Sequence, residues 1–260
     1  MTERVIRTGL LGAVLAAALV AASCGSAGTP KPPTAHGIAG AQATVRRCAG
    51  ARRPVGSRDA AWAGILLRPT IARIAPDGAP LARFGLANSN GYSTVFSIVG
   101  EQLDTRCRPV WLHVELPIRP NGATGWVRAS DVRRSVVHEY IAIDLSEKRL
   151  RLYRHDRAVF GSPIAVGSPA TPTPVGRYYV KERLIPSDPS GPWGPYALGL
   201  SAYSPVLRGW MQGGPIGIHG TNAPWSIGHA VSHGCIRLPN AAVKMLFVQT
   251  PAGTPVYITR

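Results

Sequence analysis

The sequence predicts a mainly β protein in two folded regions, the second a β-rich sandwich or barrel with one C-terminal helix. Three observations carry this. The 260 residues include 29 Gly and 24 Pro, which favours turns and short strands over long helices. Short apolar runs alternate with turn signals such as "PDGAP", "NSNG" and "RPNG". Only "AAVKMLFVQT", with Asn240 as its expected N-cap, has the length and pattern of a helix.

The chain opens with Arg4 and Arg7 before "GLLGAVLAAALVAAS". This apolar run has signal-peptide length and is too short for a secure transmembrane span. Residues 1–23 are therefore read as a signal peptide, and the protein as exported. "LVAASC" resembles a bacterial lipobox, with Ala21 where Leu is usual, which makes Cys24 a candidate lipidation site and lipid anchor. The expected location is the outer face of the cytoplasmic membrane or the cell wall. Residues 24–57 lack apolar periodicity and are rich in Gly, Pro, Ala and Arg, so they read as a flexible tether.

The formal charge is +16, with basic excess in both halves. The Arg residues are scattered and no nucleic-acid motif accompanies them, so nucleic acid is not an expected partner. A solvated basic surface in an anionic extracytoplasmic setting fits better.

Residues 58–134 read as a small all-β domain. In "WLHVELPIRPNGATGWVRASDV", Trp111, His113 and Glu115 alternate with Leu112, Val114 and Leu116 ahead of an Asn121–Gly122 turn. The "NG-T-GWV-AS-DV" pattern resembles the bacterial SH3-like barrels that accompany wall enzymes. That resemblance leaves two readings open, a wall-binding module and a spacer whose aromatics simply pack.

Residues 136–260 form the second region. Strands are expected at 140–145, 149–153, 158–166 and 177–181, with "SEK" and "HD" as turns. The Pro/Gly/Ser-rich segment 186–215 is long for a connection and reads as a functional cover. "IGIHG" is a short strand ending at His219.

Four cysteines, Cys24, Cys48, Cys107 and Cys235, leave the pairing open. Lipidated Cys24 and a free Cys235 would leave Cys48 with Cys107, whereas Cys107 with Cys235 would abolish thiol chemistry. The nucleophile reading rests on "VSHGCIRLPN". An imidazole from His219 or His233 can take the Cys235 proton to give a reactive thiolate. Gly234 lets the backbone turn sharply and bring its N–H groups close to an acyl oxygen. The rival is a zinc site from His219, His229, His233 and Cys235, which lacks a nearby carboxylate and has unusual ligand spacing; no metal and no cofactor are expected.

"IHGTNAPWSIGHAVSHGCIRLPN" resembles the signature of the L,D-transpeptidases, the YkuD-type domain. "YIAIDLSEKRLRLY" and "TPTPVGRYYV" match two further family motifs in the same order. The resemblance implies that Cys235 attacks the bond between an L-centre and a D-residue in a peptidoglycan tetrapeptide stem and releases D-Ala. The thioester then passes to the amine of a second stem, a 3→3 cross-link. It implies His219 as general base, oriented by a backbone carbonyl near Gly220–Thr221, and His233 as a positioning or polarising group. Ser232 becomes a turn and hydrogen-bond residue beside the substrate, and Arg237 suits a substrate carboxylate. Residues 186–215 become a lid, and Tyr196, Tyr203 and Trp225 are read either as its apolar walls or as aromatics packed in the core. The expected partners are peptidoglycan stem peptides, with carbapenems as acylating inhibitors. An L,D-carboxypeptidase, a wall-anchoring transferase and a non-catalytic wall-binding protein are the alternatives.

Overall fold

The computed structural model describes residues 48–260; the expected signal peptide, Cys24 and the tether as far as residue 47 lie outside the described residues. The chain is mainly β, with a single α-helix among the described residues. It forms two units, each with its own sheet and apolar core.

In the first unit, β1 (Arg52–Pro54), β2 (Ala61–Leu66), β3 (Thr70–Arg73), β4 (Pro80–Phe84), β5 (Val95–Leu103), β6 (Pro109–Glu115), β7 (Thr124–Arg128) and β8 (Val132–Val137) make one antiparallel sheet. Its order is β4-β3-β7-β6-β5-β2-β8, with β1 on β5. β1 corrects the expected tether boundary, because the chain is already folded from Cys48. A Cys48–Cys107 disulfide, Cα–Cα 5.0 Å apart, and pairing with β5 hold a segment that has no apolar face of its own. Closing a loop of 59 residues removes about 4 kcal/mol of unfolded-state freedom in the chain-entropy account. In β6, Leu112 and Val114 fill the core while Trp111 is also buried, its ring covered at 3.9 Å by the Arg128 guanidinium. His113 stacks on Trp126 at 4.7 Å. These aromatics are packed against their neighbours.

The second unit contains β9 (Glu139–Asp144), β10 (Arg149–Arg154), β11 (Arg157–Pro163), β12 (Val166–Gly167), β13 (Gly176–Leu184), β14 (Ala197–Tyr203), β15 (Pro215–His219), β16 (Ala230–Ser232), β17 (Ile236–Arg237) and β18 (Pro255–Thr259). The main sheet runs β11-β10-β9-β18-β13-β14-β15-β17, and β12 pairs with β16. β9 with β18 and β15 with β17 are parallel. The strand expected over 158–166 breaks after Pro163, where Ala165 leaves the β10 edge to bridge Arg237. Helix α1 (Asn240–Gln249) buries Val243 and Leu246 in the core. Asn240 is its first residue rather than its cap. Pro239 holds the cap position, and the Asn240 side chain turns elsewhere.

The segment expected as a cover divides in two around a central strand. β14 is buried along nearly its whole length. Leu198, Leu200 and Ala202 enter the core, while Ala197 and Gly199 face a cleft. Small residues on one face make room there, and alternation puts the large ones on the other.

β13 joins the two units. Tyr178 and Val180 point into the second core. Tyr179, fully buried, sends its hydroxyl to the carbonyls of Val95 at 3.1 Å and Glu115 at 3.4 Å in the first unit. Arg177 pairs with Glu115 at 3.3 Å. Replacing Tyr179 with Phe strands these buried carbonyls. The expected loss is about 1–3 kcal/mol, read from urea unfolding of the full chain; unchanged stability would contradict this account of the interface.

Candidate active site

The parallel pairing of β15 and β17 builds the site. Ile218 faces Ile236 and His219 faces Arg237, a register that brings Cys235 opposite Gly217. Ile216, Ile218, Ile236 and Leu238 belong to the core. The intervening Gly217, His219, Cys235 and Arg237 therefore share the other face. The Gly217 N–H donates to Cys235 Sγ at 3.4 Å. Both Gly217 and Cys235 line a cleft of about 620 Å3.

His219 is buried, and its Nδ1 lies 2.6 Å from the Gly220 carbonyl. A carbonyl only accepts, so Nδ1 carries the proton and Nε2 is the free base. Burial pushes the imidazole down to about 4; the Gly220 contact opposes this and the Arg237 charge adds to it. Burial raises the Cys235 thiol, against the Gly217 N–H and Arg237, which both favour the thiolate. At neutral pH the free site thus holds a thiol and a neutral imidazole on one sheet face.

The turn before Cys235 is locked by hydroxyls. Gly234, at φ +111°, adopts a backbone that side chains rarely allow, and a Cβ there would come within 2.9 Å of Ile216 Cδ1. Ser232 Oγ accepts from the Gly234 N–H at 3.1 Å and donates to the Cys235 carbonyl at 2.6 Å. Ser232 is thus the turn and hydrogen-bond residue expected of it, but it is buried and does not line the cleft, and the Gly234 N–H expected to face an acyl oxygen is already bonded to the Ser232 hydroxyl. Among the described residues the Cys235 N–H meets no protein acceptor, which leaves it the donor available to an oxyanion.

Residues that sequence reasoning passed over complete the turn. Thr173 Oγ1 donates to the Gly234 carbonyl and accepts from the Gly167 N–H, both at 2.8 Å. Thr171 Oγ1 donates to the Ser232 carbonyl at 2.9 Å. Both lie in the quoted "TPTP" run, whose hydroxyls were the available signal. Asn240 Oδ1 accepts from the Thr221 N–H at 2.8 Å, tying the start of α1 to the loop behind His219. Gly220 and buried Thr221 thus support the histidine and do not line the cleft.

Of the three aromatics left with two readings, none lines the cleft. Tyr196 packs on Phe247 at 4.7 Å, Tyr203 bonds Pro117 of the first unit, and Trp225 stands exposed away from the cleft. Trp193 and Trp210 take their place. Trp193 covers His219 at 4.5 Å between ring centroids, and Trp210 lies 5.0 Å from exposed His233. Each sits beside Gly or Pro in the loops flanking β14, where local composition hid a packing role. Arg237 is half-buried beside His219, and among the described residues its Nε has no partner; it does not line the cleft. Among the described residues no group of three or more His, Cys, Asp or Glu is arranged to hold a metal, so His219, His229, His233 and Cys235 do not form one set.

Residues 138–258 match the sequence model of the L,D-transpeptidase catalytic domain, YkuD. The chain is 45% identical over 119 residues to the YkuD protein of Bacillus licheniformis, covering 46% of this chain and 64% of that one. It is 42% identical over 121 residues to YkuD of Bacillus subtilis, covering 46% and 66%. It therefore spans just under two thirds of either relative. The solved catalytic domain of the Enterococcus faecium L,D-transpeptidase is 28% identical, covering 46% of this chain and 95% of that one, with a TM-score of 0.35.

Two predictions follow from the site geometry. The unfolded chain protonates its histidines near 6.5, whereas His219 in the fold resists protonation down to about 4. Stability is therefore full above 6.5 and falls by about 3 kcal/mol as the pH drops to 4. Urea unfolding across that range should show this component in the wild type and lack it in His219→Gln; identical pH profiles would refute it. Thr173→Val leaves the Gly167 N–H and Gly234 carbonyl unpaired. It should cost about 1–3 kcal/mol in the same assay and slow Cys235 modification, with Thr173→Ser closer to wild type.

Proposed function

We propose that this chain is a cysteine acyltransferase that forms 3→3 cross-links between peptidoglycan stems. The observation that carries the reading is the Cys235 thiol, held by the Gly217 N–H in the cleft on the same sheet face as a buried, neutral His219. The catalytic-domain match over residues 138–258 supports it.

The chemistry follows from these groups. His219 Nε2 takes the thiol proton as Cys235 Sγ attacks the carbonyl of the L,D-bond, and charge develops on the acyl oxygen near the Cys235 N–H. The carbon–nitrogen bond breaks, His219 returns the proton to the departing D-Ala amine, and a thioester remains. The amine of a second stem attacks this thioester, giving its proton to His219 while the carbon–sulfur bond breaks and the thiol is restored. Arg237 favours the thiolate as it forms and keeps the imidazole neutral beforehand. His233 and Trp210 flank the incoming acyl donor. Trp193 over His219 keeps water from the base.

The same reading puts the enzyme outside the cytoplasmic membrane, with Cys24 as a lipid anchor and the wall as its field of action. Carbapenems, as strained acyl donors, should trap Cys235 by opening of the β-lactam carbon–nitrogen bond.

Incubating the protein with a disaccharide tetrapeptide should release D-Ala and give a cross-linked dimer by mass. Incubation with a carbapenem should add one intact inhibitor mass per chain. Cys235→Ala should show neither product, and His219→Gln should lose at least about a hundredfold in rate. An adduct that persists in Cys235→Ala sinks the reading, and a tripeptide product without dimer makes water the acceptor.

A further inference from the structure

The first unit reaches into the cleft. The loop 204–214, between β14 and β15, carries Leu207 and Trp210 into the cleft wall and is exposed along most of 205–210. Its own ties are short-range. The Ser204 N–H donates to the Gly214 carbonyl at 2.8 Å, Ser204 Oγ accepts from the Val206 and Leu207 N–H groups, the Arg208 N–H donates to the Val206 carbonyl at 3.0 Å, and the Gly213 N–H donates to the Trp210 carbonyl at 2.8 Å. With little apolar burial, such a loop is not fixed by its own packing.

Its position is set from the opposite unit. Arg119, in the turn after β6, donates from one nitrogen, Nη2, to the carbonyls of both Ser204 and Gly213, each at 2.7 Å. One side chain thus ties the two ends of the loop together. Beside it, Asn121 brackets the Tyr203 backbone, donating to its carbonyl at 2.8 Å and accepting from its N–H at 2.9 Å. At the far side, Gln212 Nε2 donates to Asn90 Oδ1 at 2.8 Å, and the Asn90 amide donates to buried Glu182 at 3.0 Å. Asn90 and Glu182 both line the cleft. An interface made only to space two units apart would have no need to converge on the two ends of one cleft-forming loop.

We propose that Arg119 is a positioning residue for the acyl-donor site. Through it the first unit clasps the loop 204–214 and holds Trp210 against His233. The role assigned to the cleft rests on the acyltransferase reading; the clasp itself does not. A guanidinium nitrogen shared by two carbonyls is a charge-assisted contact worth a large fraction of a loop's local stability. Its loss should leave Cys235, His219 and their sheet intact while the wall of the cleft opens.

The experiment compares the full-length wild type with Arg119→Ala, Arg119→Lys and Gln212→Ala. In Arg119→Ala, amide hydrogen exchange in residues 205–213 should rise about tenfold or more, with β15 and β17 unchanged. Carbapenem acylation should slow about tenfold, while alkylation of Cys235 by iodoacetamide, which needs no cleft wall, stays the same or speeds up. Arg119→Lys, which keeps a multi-hydrogen donor at the same place, should recover most of both effects. Gln212→Ala loosens the clasp from the loop side, should show the same exchange change in smaller degree, and serves if Arg119→Ala fails to fold. Unchanged exchange in the loop overturns the proposal. So does a parallel fall in acylation and alkylation, or an Arg119→Lys as impaired as Arg119→Ala. If the wild type is not acylated, the acyltransferase reading fails and the exchange arm alone decides the clasp.

Discussion

The site depends on two short parallel strands in register. β15 and β17 pair through Ile218 with Ile236 and His219 with Arg237. That register sends four aliphatic side chains into the core and brings Cys235 and His219 to the opposite face. A slip of one residue would turn the cysteine into the core and an isoleucine into the cleft. Burial of Ile216, Ile218, Ile236 and Leu238 therefore specifies the geometry of the candidate site as well as the stability of the sheet edge. The bends needed around β17 are held by the hydroxyls of Ser232, Thr171 and Thr173, each bonded to a carbonyl in the turn that ends at Cys235.

Burial also sets the electrostatics. It disfavours both the imidazolium and the thiolate, so the resting pair is neutral. Such a pair spends little on solvating charge before substrate arrives. In the proposed acyl transfer, charge forms only when an acyl group is in place and the Cys235 N–H can share the load. Arg237, adjacent to both groups, biases the proton toward leaving sulfur without offering the histidine a carboxylate that would raise it. Its position explains why an arginine can stand one residue beyond Ile236 while lying outside the cleft.

Much of this was legible in the sequence. "IGIH" and "CIRL" alternate aliphatic and functional residues, the pattern of strands with one face in the core. The opening strands 139–163 declare themselves through β-branched and aromatic residues and short turns. The turn between β9 and β10 spans 145–148, with Lys148 at positive φ, and the two-residue turn between β10 and β11 has His155 and Asp156 both at positive φ. β14 was hidden because Ala197 and Gly199, which make room for the cleft, and Ser201, whose hydroxyl accepts from the Tyr179 N–H, resemble a loop in composition. Asn240 looked like a helix cap because Asn often is one, yet its amide oxygen is used by Thr221. Trp193 and Trp210 were passed over as cleft aromatics because a tryptophan's packing partner is fixed by the tertiary fold and leaves no local mark. The contacts between units were invisible for the same reason. Arg119 and Tyr179 bond backbone carbonyls more than 80 residues away, and a carbonyl carries no sequence identity.

The central claim is that a buried, neutral His219 activates Cys235 on demand. The pH dependence of Cys235 acylation by a carbapenem, followed by intact mass at low inhibitor concentration, tests it most directly, because that second-order rate reports the ionisation of the free site. The account predicts a rate that holds through the ordinary histidine range and falls only as His219 protonates at about 4. A fall centred near 6.5, the value of an unburied imidazole, would contradict it.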